Sequence, residues 1–231
     1  MTVNLPVVVL ISGRGSNLQA IIDHCRRGDL AVDIRAVISS RPGTEGLERA
    51  GRAGLTGVIV DPGTFSTRAE FEQALMQQID SYGPELVVLA GFMLILGPDF
   101  VRHYSGRLIN IHPSLLPQFR GLNTHERALK AGVRYHGASV HFVTADVDGG
   151  PVIVQAPVAV RPDDSPQTLA ARVLEEEHRI LPEAIRWYAQ GRLSMAGGLA
   201  LLDGRPCENQ VPGNTESQNP AAGRPPEGTA P

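Results

Sequence analysis

The stretch Leu108-Ile109-Asn110-Ile111-His112-Pro113-Ser114-Leu115-Leu116-Pro117 decides how this chain is read. Its first half alternates apolar and polar residues, the period of a strand. Asn110 and His112 stand two apart, so an extended backbone turns both to one face. Pro113 has no N–H to give a sheet ladder and ends the strand. An amide and an imidazole are thereby set side by side at a strand's carboxyl end, where open α/β sheets hold ligands. An Asn side chain donates to an oxygen gaining negative charge, and a His moves a proton near neutral pH. The pair suits attack on a carbonyl carbon. Standing alone, an Asn-x-His is more simply a capped strand end and a structural histidine, so the weight rests on its surroundings.

Upstream, Val7–Ile11 reads as a buried strand. A turn over Ser12–Asn17 follows, then a helix with Leu18, Ile21, Ile22 and Cys25 on one stripe, ending near Gly28. Ile34–Ile38 and Val58–Val60 are further strands, separated by a short helix through Leu47 and Ala50 that ends at Gly54. Thr67 and Glu70 have capping-box spacing for a helix running to about Tyr82. Leu86–Ala90 is a fourth buried strand, and a loop and short helix lead from it to Asn110. Downstream, the pattern predicts a helix over Thr124–Ala131, strands over Ala138–Phe142 and Val152–Val160, and a long amphipathic helix from Thr168 to Tyr188, kinked at Pro182.

Strands alternating with helices imply an α/β fold: an open, mostly parallel twisted sheet, Rossmann-like, with helices on both faces and an antiparallel extension in the second half. Residues 1–205 are expected to form one domain and 206–231, rich in Pro, Gly, Asn, Ser and Glu, a disordered tail.

With 231 residues, 42% of them hydrophobic, the chain fits one large domain or a domain with a tail. A net charge of −3 offers no general attraction to nucleic acid or anionic membrane. No apolar run approaches the ~20 residues that span a bilayer, and Val7–Ile11 lacks the basic leader and cleavage site of a signal peptide. Cys25 and Cys207 make no disulfide framework, so a reduced, cytoplasmic protein is expected. The histidines show no H-E-x-x-H. His136 and His141, five apart in an extended stretch, face opposite sides, and no metal site is expected.

Three other segments carry chemistry. Gly13-Arg14-Gly15-Ser16-Asn17 lies between a strand and a helix, where backbone N–H groups and a helix N-terminus bind anions. No Gly-Lys-Ser/Thr follows, and Leu18 stands where the third glycine of a dinucleotide fingerprint belongs. The loop fits one phosphate of a small substrate, or equally a tight turn capped by Ser16 or Asn17. Asp146-Val147-Asp148-Gly149-Gly150 follows a strand; an Asp there charges or orients a histidine, or is a turn residue. Leu89-Ala90-Gly91-Phe92-Met93-Leu94-Ile95-Leu96 is apolar just beyond a strand's carboxyl end. It lines a pocket for a flat heterocycle, or packs as core.

Together the segments VVVLISGRGSNLQAII, VVLAGFMLIL, GRLINIHPSLLPQFRG, HGASVHFVTADVDGGPVI and EEEH resemble, in order, the folate-dependent formyltransferases that act on glycinamide ribonucleotide. The resemblance covers about residues 5 to 205. It implies a transferase of purine biosynthesis that moves a formyl group from 10-formyltetrahydrofolate to the amine of glycinamide ribonucleotide, with no metal. It implies Asn110, His112 and Asp148 as catalytic residues. Gly15, Ser16 and Asn17 match the phosphate-binding segment, and Glu177 a residue that meets the ribose. Arg68, Met93, Leu94, Ile95, Leu96 and Asn110 match folate-binding positions. Leu94 stands where such enzymes often carry Arg. The expected partners are the two small molecules, with no nucleic acid and no membrane, in a monomer or homodimer.

Formyltetrahydrofolate deformylases share the domain but carry an N-terminal regulatory domain, for which a pattern starting at residue 5 leaves no room. Methionyl-tRNA formyltransferases, echoed by Arg120 and Gly121, need a further C-terminal domain and a basic surface. A Ser114-His112-Asp148 hydrolase triad lacks the G-x-S-x-G elbow. A non-catalytic nucleotide sensor would keep the glycine loop without needing the Asn110/His112 pair.

Overall fold

A computed structural model describes residues 4–207; of the tail expected over 206–231, Pro206 and Cys207 are instead tied into a small sheet, and residues from 208 onward lie outside the described residues. Strands β1 (Leu5–Ile11), β2 (Val32–Ser39), β3 (Gly57–Ile59), β4 (Leu86–Leu89), β5 (Leu108–His112), β6 (Tyr135–Phe142) and β7 (Val152–Ala159) form one sheet. Its order is β3-β2-β1-β4-β5-β6-β7. All pairs from β3 to β5 are parallel, and β6 and β7 are added antiparallel, as the order of strands and helices along the chain led one to expect.

The helices are α1 (Ser16–Arg27), α2 (Glu45–Arg52), α3 (Arg68–Asp80), α4 (Pro98–His103), α5 (Thr124–Lys130) and α6 (Pro166–Ala189). α1 ends on Gly28 in the left-handed region, which a residue without Cβ occupies at no cost. The capping box on α3 is formed: Glu70 N–H donates to the Thr67 hydroxyl, and the Glu70 carboxylate accepts from Thr67 N–H. A second box, Ser165 with Thr168, starts α6 two residues earlier than the apolar pattern implied. α6 then runs continuously to Ala189, Pro182 included.

Alternation along the strands divides the core. Val7, Val9, Ile11, Ile109, Ile111, Val140 and Phe142 face α1 and α6. Val8, Leu10, Val87, Leu89 and Leu108 face Phe71, Leu75 and Ile79 on α3, Phe100 on α4 and Tyr104 just after it. Each such aliphatic side chain taken from water contributes about 1.5–3 kcal/mol. Asn110 and His112 share a face with Leu108 but lie further along β5, towards its carboxyl end.

After α6 comes a small antiparallel sheet of β8 (Leu193–Ala196), β9 (Leu199–Leu202) and β10 (Arg205–Pro206), which no periodicity announced. Its strands are too short to show alternation against turn residues. Its pairing continues to Cys207, whose N–H donates to the Ala200 carbonyl at 2.9 Å.

Strand order reverses between β1 and its neighbours β2 and β4, so the loops leaving β1 and β4 diverge at the sheet's carboxyl edge. Such a switch point is a natural ligand crevice. Polar contacts tie these loops together: Ser12 N–H donates to the Gly91 carbonyl at 3.1 Å, and Met93 N–H donates to the Ser12 hydroxyl at 2.9 Å.

Candidate active site

β5 delivers Asn110 and His112 as expected, and the loop after β6 brings Asp148 to them. Asp148 Oδ2 lies 3.4 Å from His112 Nδ1, and the other imidazole nitrogen, Nε2, is 3.1 Å from the Phe119 carbonyl. Both ring nitrogens thus face acceptors, a setting that receives an extra proton. Burial opposes it: burial first, with the nearby His141 and Arg127, draws the His112 pKa below the ordinary histidine value against the upward pull of Asp148 and the Phe119 carbonyl. The resting imidazole is therefore neutral near pH 7. Asp148 still pulls the ring toward its charged form, the direction expected of it.

Asp148 sits at φ +47, an uncommon conformation for a non-glycine residue, and Gly121 N–H donates to its Oδ2 at 2.9 Å. Burial tends to raise its pKa, but its polar surroundings, the His112 ring and the Gly121 N–H among them, outweigh that and hold it below the ordinary carboxylate value. The two glycines that follow have a steric reason. A Cβ on Gly150 would fall onto the Phe142 carbonyl, and one on Gly149 would lie 2.6 Å from Asp146 Cβ.

His141 is the residue that sequence reasoning missed. The antiparallel register sets it directly opposite Asn110. Its Nδ1 donates to the Phe142 carbonyl at 2.9 Å, which leaves Nε2 to accept from Asn110 Nδ2 at 3.1 Å. That bond orients the Asn110 amide and leaves its second N–H for a ligand. His141 Nε2 is also 3.6 Å from Asp148 Oδ1. The pairing was invisible because a strand's own sequence does not state its register.

The glycine loop and α6 also meet. Asn17 Nδ2 donates to Glu177 Oε2 at 2.7 Å, while Asn17 Oδ1 is buried without a partner. Burial raises the Glu177 pKa, and the Asn17 bond lowers it by less. The turn is not capped by Ser16 or Asn17. Gly15 occupies the N-cap at φ +70 with no side-chain bond, which leaves the first N–H groups of α1 to other acceptors.

The segment after β4 is a loop, not a helix. Phe92 and Leu96 turn inward, and Leu94 packs against the α3/α4 core. Met93 and Ile95 are 62% and 63% exposed, an apolar rim on a face where water alone would favour polar residues. Arg68 does not reach this loop directly. Its Nε donates to Glu72 Oε1 at 2.6 Å, and the same oxygen accepts from Gly97 N–H at 2.9 Å. Among the described residues, no cluster of three or more His, Cys, Asp or Glu is placed to hold a metal ion, and no helix is long and apolar enough to cross a membrane.

An α/β sheet with an Asn–His–Asp cluster at one strand end and a glycine loop across the switch point is a group-transfer scaffold. The chain belongs to the formyl transferase family, which it matches over residues 5–185. It is similar to the phosphoribosylglycinamide formyltransferase of Escherichia coli K12, with 52% identity over 199 residues covering 86% of this chain and 94% of the relative. Its fold is similar to that of the phosphoribosylglycinamide formyltransferase of Coxiella burnetii, with a TM-score of 0.86 and 54% identity over 89% of this chain and 97% of that one. A formyltetrahydrofolate deformylase from Burkholderia mallei is also similar, with a TM-score of 0.79 and 30% identity, covering 86% of this chain and 70% of that one.

Proposed function

We propose that the protein transfers the formyl group of 10-formyltetrahydrofolate to the amine of glycinamide ribonucleotide, releasing tetrahydrofolate, in purine biosynthesis. The observation supporting this most directly is the meeting of Asn110, His112 and Asp148 around one side of β5, with Asp148 3.4 Å from the imidazole. Residues of the chain divide the work. The N–H groups of Gly15, Ser16 and Asn17 take the substrate phosphate, and Glu177, steadied by Asn17, meets the ribose. Met93 and Ile95 offer apolar cover to the folate ring, backed by Leu94, Leu96 and the nearby Arg68. Holding both reactants in one crevice removes much of the entropic barrier.

10-Formyltetrahydrofolate supplies the activated formyl carbon. The free N–H of Asn110 donates to the formyl oxygen as it gains charge. His112, neutral at rest, accepts the proton released by the attacking amine. The imidazolium is then held between the Asp148 carboxylate and the Phe119 carbonyl, and returns the proton towards the departing nitrogen. On this reading the protein works in the cytoplasm as a monomer or homodimer, without nucleic acid, membrane or metal.

The test is an absorbance assay of folate product with glycinamide ribonucleotide present and then omitted. Product is expected only when it is present. Formate release in its absence would instead make the protein a deformylase, and no turnover with both substrates would remove the reading.

A further inference from the structure

We propose that Arg49 is a positioning residue for the phosphate end of the substrate, acting through the Gly13–Asn17 loop; this rests on the reading of that loop given above. Arg49 lies on α2, outside the loop. Its Nε donates to the Arg14 carbonyl at 2.9 Å, its Nη1 to Gln19 Oε1 at 3.4 Å and its Nη2 to Glu45 Oε1 at 2.5 Å. One guanidinium thus joins the loop, the first turn of α1 and the start of α2. A planar fork holds three directions at once, which an ammonium on a flexible stem does not.

The backbones are in close contact behind this fork. Gly46 N–H donates to the Gly13 carbonyl at 3.1 Å. A Cβ on Gly15 would lie 2.6 Å from Gly46 Cα, and one on Gly46 would lie 2.5 Å from Ile11 Cδ1. Gly15 brings no side-chain cap of its own, so the direction of the loop's amides depends on this outside brace.

Beside the brace is a cavity of about 470 Å³, whose lining includes Ser16, Gln19, Asp23, Arg27, Arg49 and His178. His178 Nε2 is buried there with no partner. Arg49 and Arg27 stand here beside Asp23, next to the N-terminus of a helix of 12 residues, with Glu45 paired to Arg49 and Asp29 to Arg27. With its charge shared with Glu45, Arg49 acts where the phosphate is expected by orienting the loop.

The experiment is steady-state kinetics on the full chain with glycinamide ribonucleotide and with glycinamide riboside, which lacks the phosphate. Arg49→Met and Arg49→Lys are each expected to raise the KM for the ribonucleotide roughly tenfold or more. Both should leave kcat/KM for the riboside and the KM for 10-formyltetrahydrofolate near their wild-type values. Inhibition by inorganic phosphate should weaken in step. Arg49→Lys retains the charge and a good helix former, and a thermal melt verifies its fold. Wild-type kinetics in Arg49→Lys would mean that charge alone suffices and would overturn the positioning role. Equal losses with ribonucleotide and riboside would reduce Arg49 to a fold contact and overturn it too. If the wild type itself treats the two substrates alike, the phosphate reading of the loop fails and this inference fails with it.

Discussion

At the scale of single residues, the site separates proton movement from charge stabilisation. His112→Ala should lower kcat by roughly 10²–10⁴, and Asn110→Ala by roughly 10²–10³, each with little change in substrate affinity, as single-turnover rates would show. Because burial lowers the His112 pKa, the acidic limb of the kcat/KM profile should fall below the ordinary 6.5. Asp148 exerts the largest upward pull on that imidazole, so in Asp148→Asn the residual activity should show the limb moved further down. An unmoved limb would separate the two residues. His141→Leu removes the acceptor that orients Asn110. It should cost up to about 10² in kcat while the KM for folate stays put, since misplacing a reacting group by an ångström has that effect.

At the scale of elements, the site depends on how β6 packs and turns. Gly137 lies where a Cβ would meet the Ala156 carbonyl, and Gly150 where it would meet that of Phe142. Gly137→Ala and Gly150→Ala should each destabilise the protein by about 1–3 kcal/mol or more, read as a lower denaturant midpoint. Gly150→Ala should also disturb the loop that holds Asp148 and so lower kcat, which Gly137→Ala has less reason to do. A second network holds the segment that follows His112. Ser139 Oγ donates to the Ser114 carbonyl at 2.6 Å, and Gln155 Nε2 donates to the Leu116 carbonyl at 2.9 Å. These β6 and β7 side chains tether the segment leading to Phe119, whose carbonyl faces His112. The sheet's antiparallel extension therefore shapes the site as well as enlarging the core.

For the whole molecule, buried histidines set the response to acid. His112, His125, His136 and His178 all have pKa values lowered by burial, that of His136 to about 4. Between about 4 and the ordinary 6.5 the unfolded chain binds protons that the folded chain refuses, so stability rises with pH across that window. Glu177, raised above 4.5, works in the opposite sense just above that value, and Asp148 adds a loss only as pH falls below 3.8. Melting temperature should drop from pH 7 to pH 5. His136→Phe should shrink that drop, because a ring that does not titrate replaces the most depressed of the four. An equal drop in the variant would assign the acid sensitivity elsewhere.

Much of this was legible before any coordinates. Hydrophobic patterning placed β1 to β7 and the longer helices α1, α3 and α6, because each must bury one face and burial writes a period of two or 3.6 into the chain, whereas α4 was expected only as a short helix without bounds. The capping box at Thr67, the stop at Gly28 and the pairing of Asn110 with His112 are local, so neighbouring residues sufficed to find them. The sheet order, the register that sets His141 against Asn110, the approach of Asp148 to His112 and the Arg49 brace on the glycine loop join segments far apart in the chain. They belong to tertiary structure, because a strand's alternation states which face is buried but not which neighbour it pairs with.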